Sequence, residues 1–252
     1  KIQVQFNNTY NVRTLTNMPK VVKDPYIQAS YKKEMGKPWY DLYSDTELEY
    51  AQQLVNDPSL PSTIVNSTDP NKYTRLASTD WFDEIFDKFG TSHQHNLSLS
   101  GASQKASYYL GTEYYAESGM LHYNKDQYSR FNVRSNVEYH PYEWLTVGNN
   151  TAFTYYKYDK PTNFGSWLYN SANETNSLVP IYNPDGSYTK EGATLIGTLI
   201  DGGEQVTKNS ALYTQFTAVA DLIPHMWNVK ADFTAKVNNN RADTWDSDKN
   251  IP

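Results

Sequence analysis

Five histidines, two short glycine-bearing loops and a scatter of loop aromatics are the residues of this 252-residue chain whose types could do chemistry. His93 and His95 stand two apart, a spacing that puts both rings on one strand face and imitates a metal pair, but no carboxylate or third ligand follows at useful spacing. His122, His140 and His225 read as polar residues of loops and strand edges. The stretch NPDGS at 183–187 supplies oxygens and a glycine but lacks the long Asp-rich loop ending in Glu that calcium requires, so it reads as a turn. GTLIDGGE at 197–204 lacks the lysine and the strand-to-helix setting of a phosphate loop. No serine or other nucleophile is grouped with a base and an acid, so no catalytic residue, metal or cofactor is assigned and no enzymatic activity is expected.

What remains is recognition chemistry. Flat rings against sugar faces, with planar amides beside them, are the chemistry of carbohydrate binding, and Trp39, Tyr40, Tyr43, Trp81, Trp167 and Tyr169 fall in segments between strands, with Asn163, Asn170 and Asn173 nearby. The competing reading of each ring is that it packs the loops together. A second polar set, Glu113, Arg130, Arg134 and Glu138, lies on strands, where such charges pair across neighbours or meet whatever fills the space they face.

The elements that must position these residues are strands of period two. In YSRFNVRSNVEY, Phe131, Val133, Val137 and Tyr139 fall on one face, and Arg130, Asn132, Arg134, Asn136 and Glu138 on the other. The same split predicts seven strands: 2–10, 94–100, 106–115, 128–139, 144–156, 210–222 and 227–238. None of these ranges carries a charge on its apolar face, whereas the opposite faces also hold Asp221, Lys230, Asp232 and Lys236. Both a soluble sandwich and a transmembrane barrel show that asymmetry.

The connections separate the two, because they alternate in length: some eighty residues over 11–93, then GASQK, then 116–127, then HPYE, then 157–209, then IPHM. Tight periplasmic turns and longer extracellular loops alternate this way in outer-membrane barrels, which would run the first, third, fifth and seventh strands outward. Tyr139, Trp144 and Trp227 then lie near the inner interface, and Tyr10, Tyr114 and Tyr155 near the outer one. The longest loop has helix signals of its own. Asp24-Pro25 starts one helix, Ser44 and Glu47 form a capping box for a second ended by DPSLPST, and TDWFDEIF gives a third short turn, so a folded extracellular cap is expected.

Composition bounds the rest. Aromatic residues make up 15% of the chain and there is no cysteine, hence no disulfide or thiolate-metal chemistry. The mean hydropathy is −0.75 and no apolar run approaches the length of a membrane helix, so any crossing must be made by strands. A net charge of −6, with lysines and arginines scattered, argues against nucleic acid as a partner. Seven strands leave two open edges that cannot face lipid, so further strands are expected beyond those read here.

Five segments within 79–150 carry a family resemblance: the acidic tryptophan stretch TDWFDEIF, the polar strand HNLSLSG, the paired-tyrosine strand YYLGTEYYAESGML, the aromatic-arginine strand YSRFNVRSNVEY and WLTVGNN. In this order they resemble the SusC-like (SusC/RagA) branch of TonB-dependent outer-membrane transporters. Ala102 stands where that family usually has a second turn glycine. The resemblance implies an all-β fold, an antiparallel transmembrane barrel of about 22 strands with a plugged lumen. On this resemblance the chain would supply about seven of the strands, with long extracellular loops at 11–93 and 157–209, and the plug domain would lie outside it. It further implies a multi-pass protein of a Gram-negative outer membrane that takes up oligosaccharides or peptides, with a SusD-like surface lipoprotein, the TonB complex and outer-membrane lipid as partners. The charges at Glu113, Arg130, Arg134 and Glu138 would face the lumen. Two rival readings are a siderophore- or vitamin-type TonB-dependent transporter and a soluble glycan-binding β-sandwich.

Overall fold

A computed structural model describes residues 1–16, 18–38, 42–124, 126–223 and 226–246. In chain order the elements are β1 (Ile2–Thr14), α1 (Pro25–Gly36), α2 (Asp45–Asn56), β2 (Thr63–Val65), β3 (Tyr73–Arg75), α3 (Trp81–Ile85), β4 (Phe89–Ala102), β5 (Ala106–Ser118), β6 (Gln127–Tyr142), β7 (Leu145–Pro161) and α4 (Ser166–Glu174). Three contiguous helical pieces follow, Lys190–Gly192, Ala193–Gly197 and Thr198–Asp201, and then β8 (Glu204–Ile223) and β9 (Trp227–Trp245). Seven strands form one antiparallel sheet in the order β1-β4-β5-β6-β7-β8-β9, and β2 pairs only with β3. The sheet is open, with β1 and β9 at its edges.

All seven expected strands are present, each longer than its apolar alternation. β1 runs on to Thr14, β7 to Pro161, β8 begins at Glu204 and β9 continues to Trp245. The reason is that ladder hydrogen bonds, not side-chain alternation, hold a strand, so pairing continues where both faces have become polar. His140 and Pro141, expected in a turn, belong to β6, where the register shifts between Tyr139 and Tyr142. Such a bulge is one of the few strand positions that admits a proline. Gly101 lets the ring of Tyr108, its partner on β5, lie directly over the backbone where a Cβ would stand.

Register puts Phe6, Leu97, Thr112, Val133, Phe153, Leu212 and Val237 side by side in one row across all seven strands. No second sheet covers that face among the described residues: Val4, Phe6, Phe233 and Val237 are each more than 60% exposed. The sandwich reading fails here, because a sandwich stacks its apolar faces on one another.

The row also measures strand tilt. The β4–β5 turn lies five to six residues from it (Ala102, Ala106), and the β8–β9 turn lies ten to eleven (Ile223, Trp227). That slip of about five residues, roughly 17 Å over four strand spacings of about 4.8 Å, is a tilt near 40°. Outward of the row the face becomes mostly polar, carrying Asn8, Ser129, Lys157, Lys208 and Arg241, although Val12 on β1, Val206 on β8 and Trp245 on β9 lie on it farther out.

The core sits in the insertions rather than the sheet. Trp81, Phe82, Ile85, Leu121, Leu168, Ala172, Leu195, Ile196 and Leu199 form one buried cluster, and Ala29, Ala51, Leu54, Leu76 and Leu178 another. Both draw residues from different inter-strand segments. Backbone bonds tie those segments edge to edge, Ala77 N–H to Leu178 O at 3.0 Å and Thr79 N–H to Ser177 O at 2.9 Å. The folded cap expected from the helix signals is this unit.

Candidate functional site

The cap is built from local signals that the sequence spells out. Asp24 accepts from the Ile27 N–H at 2.9 Å and Pro25 opens α1. Ser44 and Glu47 close the expected capping box on α2, and Asp80 accepts from Phe82 and Asp83 to cap α3. Glu47 does more than cap. Its carboxylate is buried and accepts from the Ser44 N–H at 2.8 Å, the Asn66 amide at 2.9 Å and the Thr74 hydroxyl, which fastens α2 to the β2–β3 hairpin. Burial pushes the Glu47 carboxyl up, but these donors outweigh it and hold it below the ordinary range.

The six candidate ligand rings do not gather into one platform. Trp39 and Tyr40 lie outside the described residues. Tyr43 packs beside Leu48, Tyr50, Leu60 and Ile64 against the second cluster, and its phenol is pushed up by burial and by the Glu47 charge. Trp81 corrects the ligand reading: it is 1% exposed in the first cluster, and its indole N–H donates to Asn176 O at 3.2 Å. An indole so enclosed packs the loops and cannot meet a ligand.

Trp167 and Tyr169 are 38% and 43% exposed on α4, a helix with buried Leu168 and Ala172 on its other side. Asn170 and Asn173, also exposed, follow them at helical neighbour spacing, so each ring has an amide beside it. Tyr169 is held edge-on by Phe82, with centroids 5.2 Å apart. Asn163 is half-buried, in the segment between β7 and α4.

Sequence reasoning passed over a second aromatic group. NPDGS is a turn, as expected, with the Asn183 N–H on Ser187 O at 2.7 Å and Gly186 at φ +84°, a conformation that favours glycine. Its two flanks pair as a bridge, which stacks Tyr182 on Tyr188 with ring centroids 4.9 Å apart. Burial, then the hydrogen bond with Tyr182, pushes the Tyr188 phenol up to about 12. Tyr123, against which His122 stands edge-on at 4.7 Å, packs on the same cluster. The spacing in YNPDGSY was the available signal: two tyrosines flanking a tight turn at paired positions.

A cavity of about 380 Å³ also opens between α1 and the end of α2, lined by Pro25, Leu54, Val55, Leu60 and Leu76. Lys23 stands at its rim, 2.9 Å from Asp80 and 3.2 Å from Asp83. No sequence pattern announced it.

On the sheet, Glu113, Arg130, Arg134 and Glu138 all fall on the polar face. Glu113 accepts from Arg130 at 2.6 Å and from Asn132 at 3.1 Å, and the Arg130 guanidinium lies 5.7 Å from the Tyr115 ring centre. Glu138 meets the His140 Nε2 at 3.0 Å. Arg134 lines a groove of about 320 Å³ with Gln5, Asn7, Asn96, Glu113 and Asn132. His93 and His95 share the apolar face, their centroids 5.3 Å apart, and both lean on Tyr114. Among the described residues no three His, Asp or Glu side chains gather as a metal site. GTLIDGGE forms the end of a helix leading into β8, the reverse of a phosphate loop.

No protein-family model matches the chain. Two curated relatives, both from Formosa agariphila, are similar in sequence: TonB-dependent receptor P26, 28% identical over 119 residues, and TonB-dependent receptor P3, 26% identical over 167. The matches cover 47% and 63% of this chain but only 11% and 16% of those relatives, so the chain spans a small part of their length. Among solved structures, the RagAB peptide importer is similar in its closed-closed state (TM-score 0.70, 17% identity, 100% of this chain and 29% of that one). Its open-open state is similar too (TM-score 0.66, 17% identity, 96% and 28%). The resemblance drawn from the motifs therefore holds from two independent directions: the chain is similar in sequence to TonB-dependent receptors and has the fold of part of the barrel of a SusC-like one.

Proposed function

We propose that this chain is part of the wall and outer vestibule of an outer-membrane TonB-dependent importer of the SusC type. It crosses the outer membrane several times and works with a SusD-like surface lipoprotein and the TonB complex to take up oligosaccharides or peptides. The observation that carries this reading is the uncovered apolar face of a tilted antiparallel sheet. Strands tilted near 40° with one apolar face left uncovered are what a hydrocarbon slab demands of a barrel wall, whereas a water-soluble fold has to cover such a face. The similar relatives are named TonB-dependent receptors, and the similar solved structures are of the RagAB peptide importer, which supports an import role.

In this reading the charges of the polar face, Glu113, Arg130, Arg134 and Glu138, face the lumen and hold one another or its filling. The exposed rings of the cap, Trp167, Tyr169 and Tyr182, the last stacked on half-buried Tyr188, meet the incoming substrate from outside. Peptide is the favoured substrate class, because the apolar cavity beside Leu54 and Leu76 suits an aliphatic side chain better than a sugar face. The test is uptake of labelled oligopeptides and oligosaccharides by cells expressing the intact protein, with and without TonB and the companion lipoprotein. Uptake that depends on both supports the proposal, and uptake undiminished without TonB defeats it.

A further inference from the structure

Outward of Tyr155, Leu212 and Val237 the same face carries a row of cations. Lys157 on β7, Lys208 on β8 and Arg241 on β9 are direct cross-strand partners, three positive charges abreast. Like charges directly opposite one another destabilise a sheet unless something neutralises them. Lys157 reaches Asp159 at 2.5 Å and Arg241 reaches Asp243 at 2.8 Å, each carboxylate one step farther along its own strand. Lys208, between them, meets no carboxylate among the described residues. The two partnered cations also keep most of their donors free, since an ammonium has three and a guanidinium five.

Their height is defined. Lys157 is the next residue of that face after Tyr155, while Lys208 and Arg241 stand two steps beyond Leu212 and Val237. At 3.3 Å per residue and a tilt near 40°, the three lie about 5 to 10 Å above Tyr155, Leu212 and Val237, the level at which a headgroup layer begins, with Val206 one step and Trp245 two steps farther out on the same face. Beside Lys157 the same face sinks into a cleft of about 320 Å³, where Thr91, Ala116 and Ser129 are small, His93 and Tyr114 form a wall, and the carboxylates Glu117 and Asp159 also line it. A row of cations next to a polar recess, continuous with a lipid-facing surface, fits a headgroup.

We propose that this rim binds the phosphate-bearing headgroup of an outer-leaflet lipid, with Lys157, Lys208 and Arg241 sharing the phosphate and the cleft between β4 and β7 receiving the rest of the headgroup. The inference rests on the membrane-spanning reading given above. It is tested on the intact protein in nanodiscs of phosphatidylcholine with a minority of phosphatidic acid, by measuring the lipid that stays bound on extraction. The wild type should enrich phosphatidic acid. Each charge removed should cost about fivefold, so the triple variant Lys157→Gln, Lys208→Gln, Arg241→Gln should lose about a hundredfold. Lys230→Gln with Lys236→Gln, on the other face, should lose nothing. Wild-type enrichment in the triple variant overturns the proposal, as does displacement of the lipid by inorganic phosphate alone, which would mark a site for a free anion. Failure of the wild type to enter the nanodisc would instead refute the membrane reading itself.

Discussion

Placing an arginine at Val133 tests the assignment of the two faces most directly. Val133 sits in the row between Thr112 and Phe153, six residues along β6 from Tyr139. That distance is about 20 Å along the strand and about 15 Å of height at a tilt near 40°, close to the middle of an apolar band about 25 Å tall. An arginine facing lipid there costs about 2 to 4 kcal/mol, so the folded-to-unfolded ratio should fall by a factor of about 30 to 700. Two controls separate depth from disruption. Ser129→Arg lies on the same face beyond Phe131, about 10 Å higher, and should cost at most about 1 kcal/mol. Asn132→Arg turns to the other face, where Glu113, already the acceptor for Asn132 at 3.1 Å, can receive the new charge. The assay is urea titration of the intact barrel in lipid vesicles, following the folded form by its heat-modifiable migration. Equal losses at 129 and 133, or a loss at 132 as large as at 133, would refute the lipid assignment.

The cap gives three further expectations. Trp81→Ala should loosen the whole cap, because removing a fully enclosed indole costs about 3 to 5 kcal/mol; limited proteolysis of surface-exposed loops should show it, and an unchanged digestion pattern would exclude a packing role. Tyr182→Ala and Trp167→Ala should lower substrate uptake at unchanged barrel levels, and unaltered uptake would remove that ring from the binding face. Glu47 predicts an acid limit: its carboxyl is held below the ordinary 4.5, so its contribution is complete above that pH and is lost as pH falls through the lowered value. The wild-type cap should therefore become protease-sensitive on acidification, while Glu47→Gln, less stable at neutral pH, should show a flatter profile; parallel profiles would count against it.

The faces of the strands were legible in the sequence because a side chain's side is fixed by a period of two. Val133 and Phe153 had to share one surface and Arg130 and Arg134 the other, whatever the tertiary structure. The strand ends were not legible. Residues 157–161, 204–209 and 239–245 have no apolar alternation, and only the partner strand reveals that their backbones are paired. That shortfall hid the cations of the rim, which appeared to lie in loops. Helix starts were legible at Asp24, Ser44 and Asp80, where one side chain satisfies backbone donors a few residues away. The role of Trp81 was not, since the residues that bury it, Leu168 and Leu199 among them, are about ninety or more positions distant.

The sequence by itself determined the seven long strands of opposed faces, their alternating short and long connections and a capped helical insertion, because each of these is set by interactions among near neighbours. The tertiary structure alone decided that no described residue layers a second sheet over the apolar face, that the strands tilt, and which rings of the cap are enclosed and which stay exposed. Those properties depend on register and on contacts between distant segments, which pattern along one chain does not encode.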